Sequence, residues 1–225
     1  MKKIFNLVII PVITIIMSII FGIASGDYFF GTITLIFGFL NAYYMVIGKW
    51  YNYIYGILFA LCYAYMCGRN GLFGWVFFTF VFYVPFQVLG MISWFKNKKN
   101  DVVEMRSLNF KKATLVCGFI VVGSLLFGYL LSLIPSQHLS FLDGTTQMFN
   151  VFGIFLSLFR LREAWYVGLI NNFLDLLIWI INDANYNSDS YMMLVVSVVY
   201  LVLNIVGIIE WIKIEKEQKN KKCSL

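Results

Sequence analysis

Charged residues are scarce in this chain of 225 residues, because Asp, Glu, Lys and Arg together make up only 12% of it. Soluble globular domains have about twice that proportion. Hydrophobic residues account for 61% of the chain and aromatic residues for 19%. This composition excludes an ordinary soluble domain and predicts a protein that crosses a membrane several times. The net charge of +6 does not indicate nucleic-acid binding, because the basic residues lie between and after the apolar runs.

Side chains that bind metals or do catalysis are also few. The chain has one histidine, His138, and four cysteines, none with the spacing of a metal site or a redox motif. Cys62, Cys67 and Cys117 lie in apolar stretches, and Cys223 lies near the C-terminus. A membrane-embedded enzyme is therefore disfavoured, and no cofactor is expected.

Eight apolar stretches are long enough to cross a bilayer as helices, at about 20 residues each. The first is longer than the apolar part of a secretion signal and is interpreted as a retained helix. Pro85 lies inside the fourth stretch, where it removes a helical hydrogen bond. The predicted spans are 4–24, 28–48, 50–68, 71–95, 111–134, 140–159, 164–182 and 190–212.

The basic residues predict how the chain is oriented. If the N-terminus is cytoplasmic, all of the 17 Lys and Arg residues except Arg69 fall on the cytoplasmic side. The outer loops then carry acidic residues such as Asp143 and Asp189. Because Lys and Arg are retained on the cytoplasmic side, we predict eight spans in the bacterial cell membrane with both termini inside. The tail, residues 214–225, is expected to be solvated and frayed.

Two stretches of the sequence resemble each other. The fourth and eighth predicted spans each carry Tyr, then Gln or Asn, then Gly, then Trp at i, i+4, i+7 and i+11, which is one face of a helix. Chance similarity between apolar helices does not align such different residues together. The matched pairs are Tyr83 with Tyr200, Gln87 with Asn204, Gly90 with Gly207, and Trp94 with Trp211.

Weaker matches extend this similarity to two sets of three helices. Each set begins outside and ends inside, so the sets are parallel and need one linking helix between them, a plan found in some transporters. The predicted units are an extra N-terminal helix (1–27), a first three-helix repeat (28–96), a loop and linker helix (97–139), a second repeat (140–213) and the tail (214–225).

The seventh predicted span has polar side chains at its centre. A carboxylate near the middle of a bilayer costs about 2.5–3.5 kcal/mol, so Asp175 is expected to face the bundle interior or a wet cavity. On a helix it shares a face with Asn172 and Trp179, and Asn171 adjoins them. Amides, an acid and an aromatic ring together suit a flat, polar, ring-bearing ligand. The alternative is that Asp175 only joins neighbouring helices.

The residues shared by the two repeats lie at two depths. Gln87 and Asn204 lie deep in their spans, where they either line a pocket or make structural hydrogen bonds. Trp94 and Trp211 lie close to lysines at the cytoplasmic edge. We expect these two tryptophans to belong to an aromatic belt at the membrane surface.

Several motifs occur in order along the chain, and they are Tyr53-x-Tyr-Gly56, the Gly71-Leu-Phe-Gly74 turn, Gln87-x2-Gly90-x3-Trp94, Trp165…Asn172 and Asn204-x2-Gly207-x3-Trp211. In this order and spacing they resemble the PnuC family of bacterial vitamin transporters over residues 28–213. The resemblance implies an all-α integral membrane protein with eight transmembrane helices, arranged as a SWEET-like 3+1+3 parallel repeat plus one extra N-terminal helix. It also implies a homotrimer.

The same resemblance implies a function. It implies facilitated diffusion of an unphosphorylated vitamin, with nicotinamide riboside the best-known substrate, followed by trapping by a cytoplasmic kinase. Aromatic rings would stack on the vitamin and amides would bind its ribose. The candidate binding residues are Asn172, Asp175, Trp179, Gln87, Asn204, Tyr83, Asn171 and Tyr200.

Three alternatives remain open at the level of sequence. Thiamine or another vitamin is one, since thiamine and nicotinamide riboside both carry a positively charged ring that an acid would attract. Proton-coupled symport through Asp175 is the second. The third is a substrate-binding component that does not transport by itself.

Overall fold

The structure, a computed structural model, describes residues 10–25, 29–99, 102–186 and 191–223, and nearly all of them are helical. The apolar runs form helices because lipid offers backbone groups no hydrogen-bond partners, and a helix satisfies them internally. The helices are α1 Ile10–Ser25, α2 Phe30–Val46, α3 Asn52–Arg69, α4 Phe73–Phe78, α5 Val84–Lys96, α6 Phe110–Ser132, α7 Ser140–Leu158, α8 Glu163–Tyr186 and α9 Tyr191–Cys223.

Within the described residues, four helical stretches are long and apolar enough to cross a membrane by themselves. Helix α2 is apolar but shorter. Helix α7, predicted as the sixth span, does not reach the same apolarity because it carries buried polar residues such as Asp143 and Gln147. The all-helical class is confirmed, and the count of eight spans stays a prediction. The four stretches are Phe73–Lys96, Lys111–Ser132, Glu163–Asn185 and Met192–Gln218.

A widened turn joins α4 to α5 within one continuous stretch. Residues Thr79–Tyr83 form a π-helical turn, and α5 begins at Val84 with Pro85 in its first turn. Proline cannot donate a backbone hydrogen bond, and the π turn just before it accommodates the resulting break in the helical hydrogen-bond pattern. The disruption predicted at Pro85 is therefore observed, and it lies next to Tyr83.

The helices of the two predicted repeats pack against one another in a reciprocal way. Helix α9 packs against α2, and α5 packs against α7. The last helix of each set thus contacts the first helix of the other set. Two further helices flank the bundle in matching positions, since α1 packs against α2 and α6 packs against α7.

The prediction that Trp94 and Trp211 form a membrane-surface belt is wrong, because both side chains are 0% exposed. The indole Nε1 of Trp94 donates to the carbonyl oxygen of Ser157 at 2.8 Å. The indole Nε1 of Trp211 donates to the carbonyl oxygen of Met45 at 3.1 Å. These carbonyls lie near the C-terminal ends of α7 and α2, where backbone acceptors are available. Both tryptophans therefore point inward, with ring centroids 5.7 Å apart.

The loop after α5 and the predicted tail are both ordered against the bundle. Strands β1 (Lys98–Lys99) and β2 (Val102–Val103) form a short antiparallel hairpin. The expectation of a frayed tail is wrong for its first turns, because α9 continues to Cys223 and Glu215 accepts from Arg162 at 2.9 Å. We call this end of the bundle, where the loops at Gly48 and Arg160 meet the extension of α9, the basic end.

The opposite end is built around Asp143, whose side chain is 0% exposed. Its carboxylate accepts from the backbone N–H of Gly74 at 3.0 Å and from the amides of Gln137 and Gln147, each at 2.9 Å. These bonds join the start of α4 to the start of α7. Three donors satisfy the buried carboxylate, so Asp143 has a structural role at this end.

Candidate functional site

A cavity of about 130 Å³ lies between the two predicted repeats. Helices α2, α3, α4 and α5 contribute from the first repeat, and α7, α8 and α9 contribute from the second. Its aromatic lining comprises Phe59, Trp75, Phe149 and Trp165. Its polar lining comprises Asn41, Tyr83, Gln87, Asn150, Asn171, Asn172, Tyr200 and Asn204.

A smaller cavity of about 50 Å³ adjoins the first and contains Asp175. The two cavities share several lining residues, including Trp75, Asn150 and Asn172. Tyr63 completes the aromatic side of the smaller cavity. Asp175 therefore lies beside the main cavity, within one continuous group of polar and aromatic side chains.

The carboxylate of Asp175 is only partly satisfied by the protein. Its Oδ2 accepts from Asn171 Nδ2 at 2.9 Å, one helical turn earlier on α8. Its Oδ1 is buried and has no hydrogen-bond partner in the described part of the chain. A buried carboxylate that lacks partners is costly. Asp175 can therefore give a positively charged or hydrogen-bond-donating ligand a favourable contact.

Other unpaired polar atoms line the same two cavities. A buried donor or acceptor without a partner costs about 1–3 kcal/mol, so native proteins keep few of them. Their concentration here distinguishes a binding site from a closed structural network, in which the groups would bond to each other. Among the described residues these atoms are Tyr83 Oη, Gln87 Oε1, Asn150 Nδ2, Trp165 Nε1, Asn171 Oδ1, Asn172 Nδ2 and Asp175 Oδ1.

Two glycines let the matched amides of the repeats lie flat against neighbouring helices. A Cβ atom on Gly56 would be 2.7 Å from both Oε1 and Nε2 of Gln87. A Cβ atom on Gly168 would be 2.7 Å from Oδ1 of Asn204. Only glycine leaves room for such close approach. The pairing of glycine with amide therefore occurs once in each predicted repeat.

A chain of hydrogen bonds fixes the orientation of the lining between α9 and α2. Asn204 Nδ2 donates to the carbonyl oxygen of Tyr200 at 3.0 Å. The Tyr200 hydroxyl donates to Asn41 Oδ1 at 3.2 Å, and Asn41 Nδ2 donates to the carbonyl oxygen of Asn52 at 3.0 Å. These bonds hold the polar side chains in place across the boundary between the repeats.

Of the residues predicted from the sequence, Trp179 alone does not line either cavity. Its side chain is 0% exposed, and its Nε1 donates to the Tyr63 hydroxyl at 2.5 Å. Tyr63 packs edge-on against Trp75 with ring centroids 4.5 Å apart, and Trp75 stacks on Tyr83 at 5.0 Å. Trp179 therefore supports the aromatic wall from behind.

Sequence reasoning missed several lining residues, among them Asn41, Asn150, Trp75 and Tyr63. The two asparagines carried a usable signal, since each is an isolated amide inside an apolar stretch. The two aromatic residues carried none, because the chain has many Tyr and Trp residues in similar apolar surroundings. Only their packing distinguishes them from residues that face lipid.

The chemistry of the lining excludes several kinds of site. None of the described residues around the two cavities is Lys, Arg or His. No group of three or more His, Cys, Asp or Glu residues within the described ranges is placed to hold a metal ion. A polar, aromatic-lined cavity between two sets of apolar helices is the arrangement expected of a membrane transporter for a small molecule.

The chain belongs to the nicotinamide mononucleotide transporter family, whose family model matches residues 28–213. It is 26% identical over 212 residues to the nicotinamide riboside transporter PnuC of Neisseria mucosa, covering 92% of this chain and 80% of that protein. It is 27% identical over 198 residues to the nicotinamide riboside transporter PnuC of Haemophilus influenzae, covering 86% of this chain and 84% of that protein.

The fold is also similar to a solved structure described as the crystal structure of the vitamin B3 transporter PnuC. The TM-score is 0.81 at 24% sequence identity, over 92% of this chain and 90% of that one. The resemblance to the PnuC family is thereby confirmed. These relatives are transporters rather than enzymes, as expected from the lack of catalytic side chains.

Proposed function

We propose that this chain imports nicotinamide riboside, an unphosphorylated vitamin with a positively charged ring, across the bacterial cytoplasmic membrane. The observation that carries the proposal is the central cavity, which combines aromatic rings, unpaired amide groups and one carboxylate. Aromatic faces suit the nicotinamide ring, amides suit the ribose hydroxyls, and Asp175 suits the positive charge. The names of the two relatives support the same substrate.

The charges around the cavity favour the riboside over the mononucleotide. A phosphate group carries about two negative charges near neutral pH and is usually bound by Arg, Lys or backbone N–H groups. The described lining has no basic side chain and does contain Asp175. A phosphate would therefore be repelled without compensation. The substrate is the unphosphorylated form, and phosphorylation by a cytoplasmic kinase would keep it in the cell.

The binding residues we propose come from both halves of the chain. Gln87, Tyr83, Asn171, Asn172, Tyr200 and Asn204 bind the ribose and the amide of the vitamin, and Asp175 pairs with its ring charge. Trp179 acts indirectly, since its indole positions Tyr63.

The arrangement we propose is a 3+1+3 parallel repeat with an extra N-terminal helix, eight spans in all. The reciprocal packing of α9 on α2 and α5 on α7 supports it. The paired tryptophan bonds to Ser157 and Met45 and the paired glycine–amide contacts support it as well. In this arrangement the basic end faces the cytoplasm by the positive-inside rule. We also propose a homotrimer, which light scattering of the purified protein would test.

Transport is proposed to be downhill and uncoupled from ions. Apart from tyrosines, Asp175 is the one ionisable side chain among the described residues that line the cavities. A symporter needs at least one group that binds the coupling ion, and here the same acid is occupied by the substrate charge. Proton-coupled symport is the second candidate, favoured by the unpaired Oδ1 of Asp175. Thiamine, also a cationic ring, is the second candidate substrate.

Uptake into liposomes that contain no kinase tests the proposal. Labelled nicotinamide riboside should equilibrate to the external concentration at the same level with or without a pH gradient. Excess unlabelled riboside should compete, and excess mononucleotide should not. Accumulation above the external concentration that an uncoupler abolishes would identify proton-coupled symport instead. Competition by thiamine but not by the riboside would show that thiamine is the substrate.

A further inference from the structure

Residues 103–108 cross the basic end of the bundle and contact both halves of the chain. This segment, which we call the crossing segment, precedes α6. Most of its backbone hydrogen bonds go to the second half. Arg106 N donates to the Arg160 carbonyl at 2.9 Å, and Arg162 N donates to the Arg106 carbonyl at 2.9 Å. Leu108 N donates to Glu163 Oε2 at 2.9 Å.

Gln218, on the extension of α9, binds the crossing segment at two points. Its Oε1 accepts from Met105 N at 2.9 Å, and its Nε2 donates to the Val103 carbonyl at 3.0 Å. The amide thus pairs with the segment as a neighbouring strand would, and it fixes which residues of the segment face the bundle. Gln218 therefore makes a specific contact, although it lies in the tail that was predicted to be frayed.

Two side chains of the crossing segment cover an aromatic cluster. Val103 is 1% exposed and Met105 is 7% exposed, and both pack in a buried cluster that contains Trp94, Trp165 and Trp211. Trp165 also lines the main cavity. Trp165 therefore connects the cluster beneath the crossing segment to the lining of the cavity.

Hydrogen bonds attach the crossing segment to the first half at fewer points. Apart from the hairpin pairing of Val103 with Lys98 and the hydrogen bond of Glu104 N to the Asn97 carbonyl, one backbone bond joins it there, from Val103 N to the Gly48 carbonyl at 3.2 Å. Five hydrogen bonds, from Arg106, Arg162, Leu108 and Gln218, join it to the second half. A separation of the two halves here would break one backbone hydrogen bond, between Val103 and Gly48, and leave the five bonds to the second half intact.

We propose that the crossing segment is the cytoplasmic gate of the transporter. In the closed state Val103 and Met105 hold the tryptophan cluster over the inner end of the cavity. Opening parts Val103 from Gly48, and the segment stays attached to the second half through Gln218 and Arg106. The proposal rests on the transport function and orientation proposed above.

Two crosslinks in a cysteine-free background test where the gate parts. A short thiol crosslinker between Lys49→Cys and Glu104→Cys ties the segment to the first half. A disulfide between Arg106→Cys and Leu161→Cys, which are partners in a β-bridge, ties it to the second half. The first crosslink should reduce riboside transport by at least about tenfold and leave equilibrium binding unchanged, and the second should change neither.

The outcomes of the crosslinks separate the two proposals. The proposed gate would be overturned if both crosslinks inhibited transport equally, or if neither inhibited it. If the uncrosslinked protein neither binds nor transports the riboside, the proposed function fails, and the gate is then judged from thiol accessibility alone. That measurement needs no substrate.

Accessibility of Val103→Cys measures opening directly. Added from the cytoplasmic side, a thiol reagent should modify it at least about tenfold more slowly than Lys98→Cys, which is exposed in the same hairpin, but should still reach completion. Adding Gln218→Ala removes two hydrogen bonds and should speed modification of Val103→Cys by about tenfold. Glu217→Ala, an exposed neighbour, should not. Complete protection in every variant would show that the segment is a fixed part of the fold.

Discussion

Replacing Asp175 by Asn tests the substrate site most directly. The amide has the shape of the carboxylate and keeps an oxygen to accept from Asn171 Nδ2, now at 2.9 Å. The substitution therefore removes the negative charge next to the smaller cavity and little else. If Asp175 pairs with the positively charged ring of the vitamin, affinity should fall while the fold remains intact.

The size of the expected loss of binding affinity follows from the distance between the two charges. A charge pair about 4 Å apart has a Coulomb energy of about 4 kcal/mol at an effective dielectric constant of about 20. Desolvation of Asp175, which is only 8% exposed, and of the ligand offsets part of it. We expect a net loss of about 1–3 kcal/mol, which is roughly a tenfold to hundredfold weaker affinity.

The assay is calorimetric binding together with thermal unfolding on the same purified variants. An uncharged, reduced form of the same ring serves as the second ligand, and the Asp175→Asn change should hardly affect its binding. Asp143→Asn is the matched control, because Asp143 is also buried but lines neither cavity and accepts from three donors. It should lower the melting temperature and leave the affinity of the folded protein unchanged.

The reverse pattern for Asp175→Asn would refute this reasoning. A lower melting temperature with unchanged affinity for the charged ring would mean that Asp175 only joins helices. Equal losses for the charged and uncharged ligands would mean that it contributes shape or hydrogen bonding rather than charge.

Four further changes have expected outcomes. Gly168→Ala should displace the Asn204 amide and weaken riboside binding by about tenfold, whereas Gly118→Ala, with nothing near its Cβ position, should not. Trp94→Phe should lower the free energy of unfolding by about 1–3 kcal/mol, since it leaves the Ser157 carbonyl without its indole donor. Trp179→Phe should weaken binding less than Tyr63→Phe does, because only Tyr63 lines a cavity; the opposite order would place Trp179 in the site. In intact cells, an impermeant thiol reagent should label Arg69→Cys and not Lys98→Cys, and the reverse result would invert the topology.

Composition and the placement of charge were enough to predict an all-helical membrane protein. Apolar runs in lipid have few alternatives to the helix, so this part of the fold is nearly forced. The resemblance to the PnuC family also came from the sequence, because amides and glycines inside apolar helices are rare enough to be recognised by their spacing. The same rarity predicts Gln87, Asn172, Asp175 and Asn204 as site residues, and in the structure all four line the two cavities.

A periodic sequence pattern does not show which way each side chain points. Trp94 and Trp211 have the spacing and lysine neighbours of belt residues, yet they point inward because carbonyls at the ends of α7 and α2 accept their indole N–H groups. Trp179 shares a helical face with Asp175 but lies deeper in the packing, behind Tyr63. Which side chain reaches a cavity depends on the helix opposite, and that helix is distant in the sequence.

The sequence by itself therefore determined the class of protein, the apolar helices and the polar residues that lipid would exclude. The tertiary structure decided which aromatic residues complete the cavity, which acid is satisfied and which is not, and how the loop and tail close the basic end. Asp143 and Asp175 are both single acids among apolar residues. Three donors bond to the first, two of them from outside its own helix, whereas the second keeps one buried oxygen without a partner among the described residues.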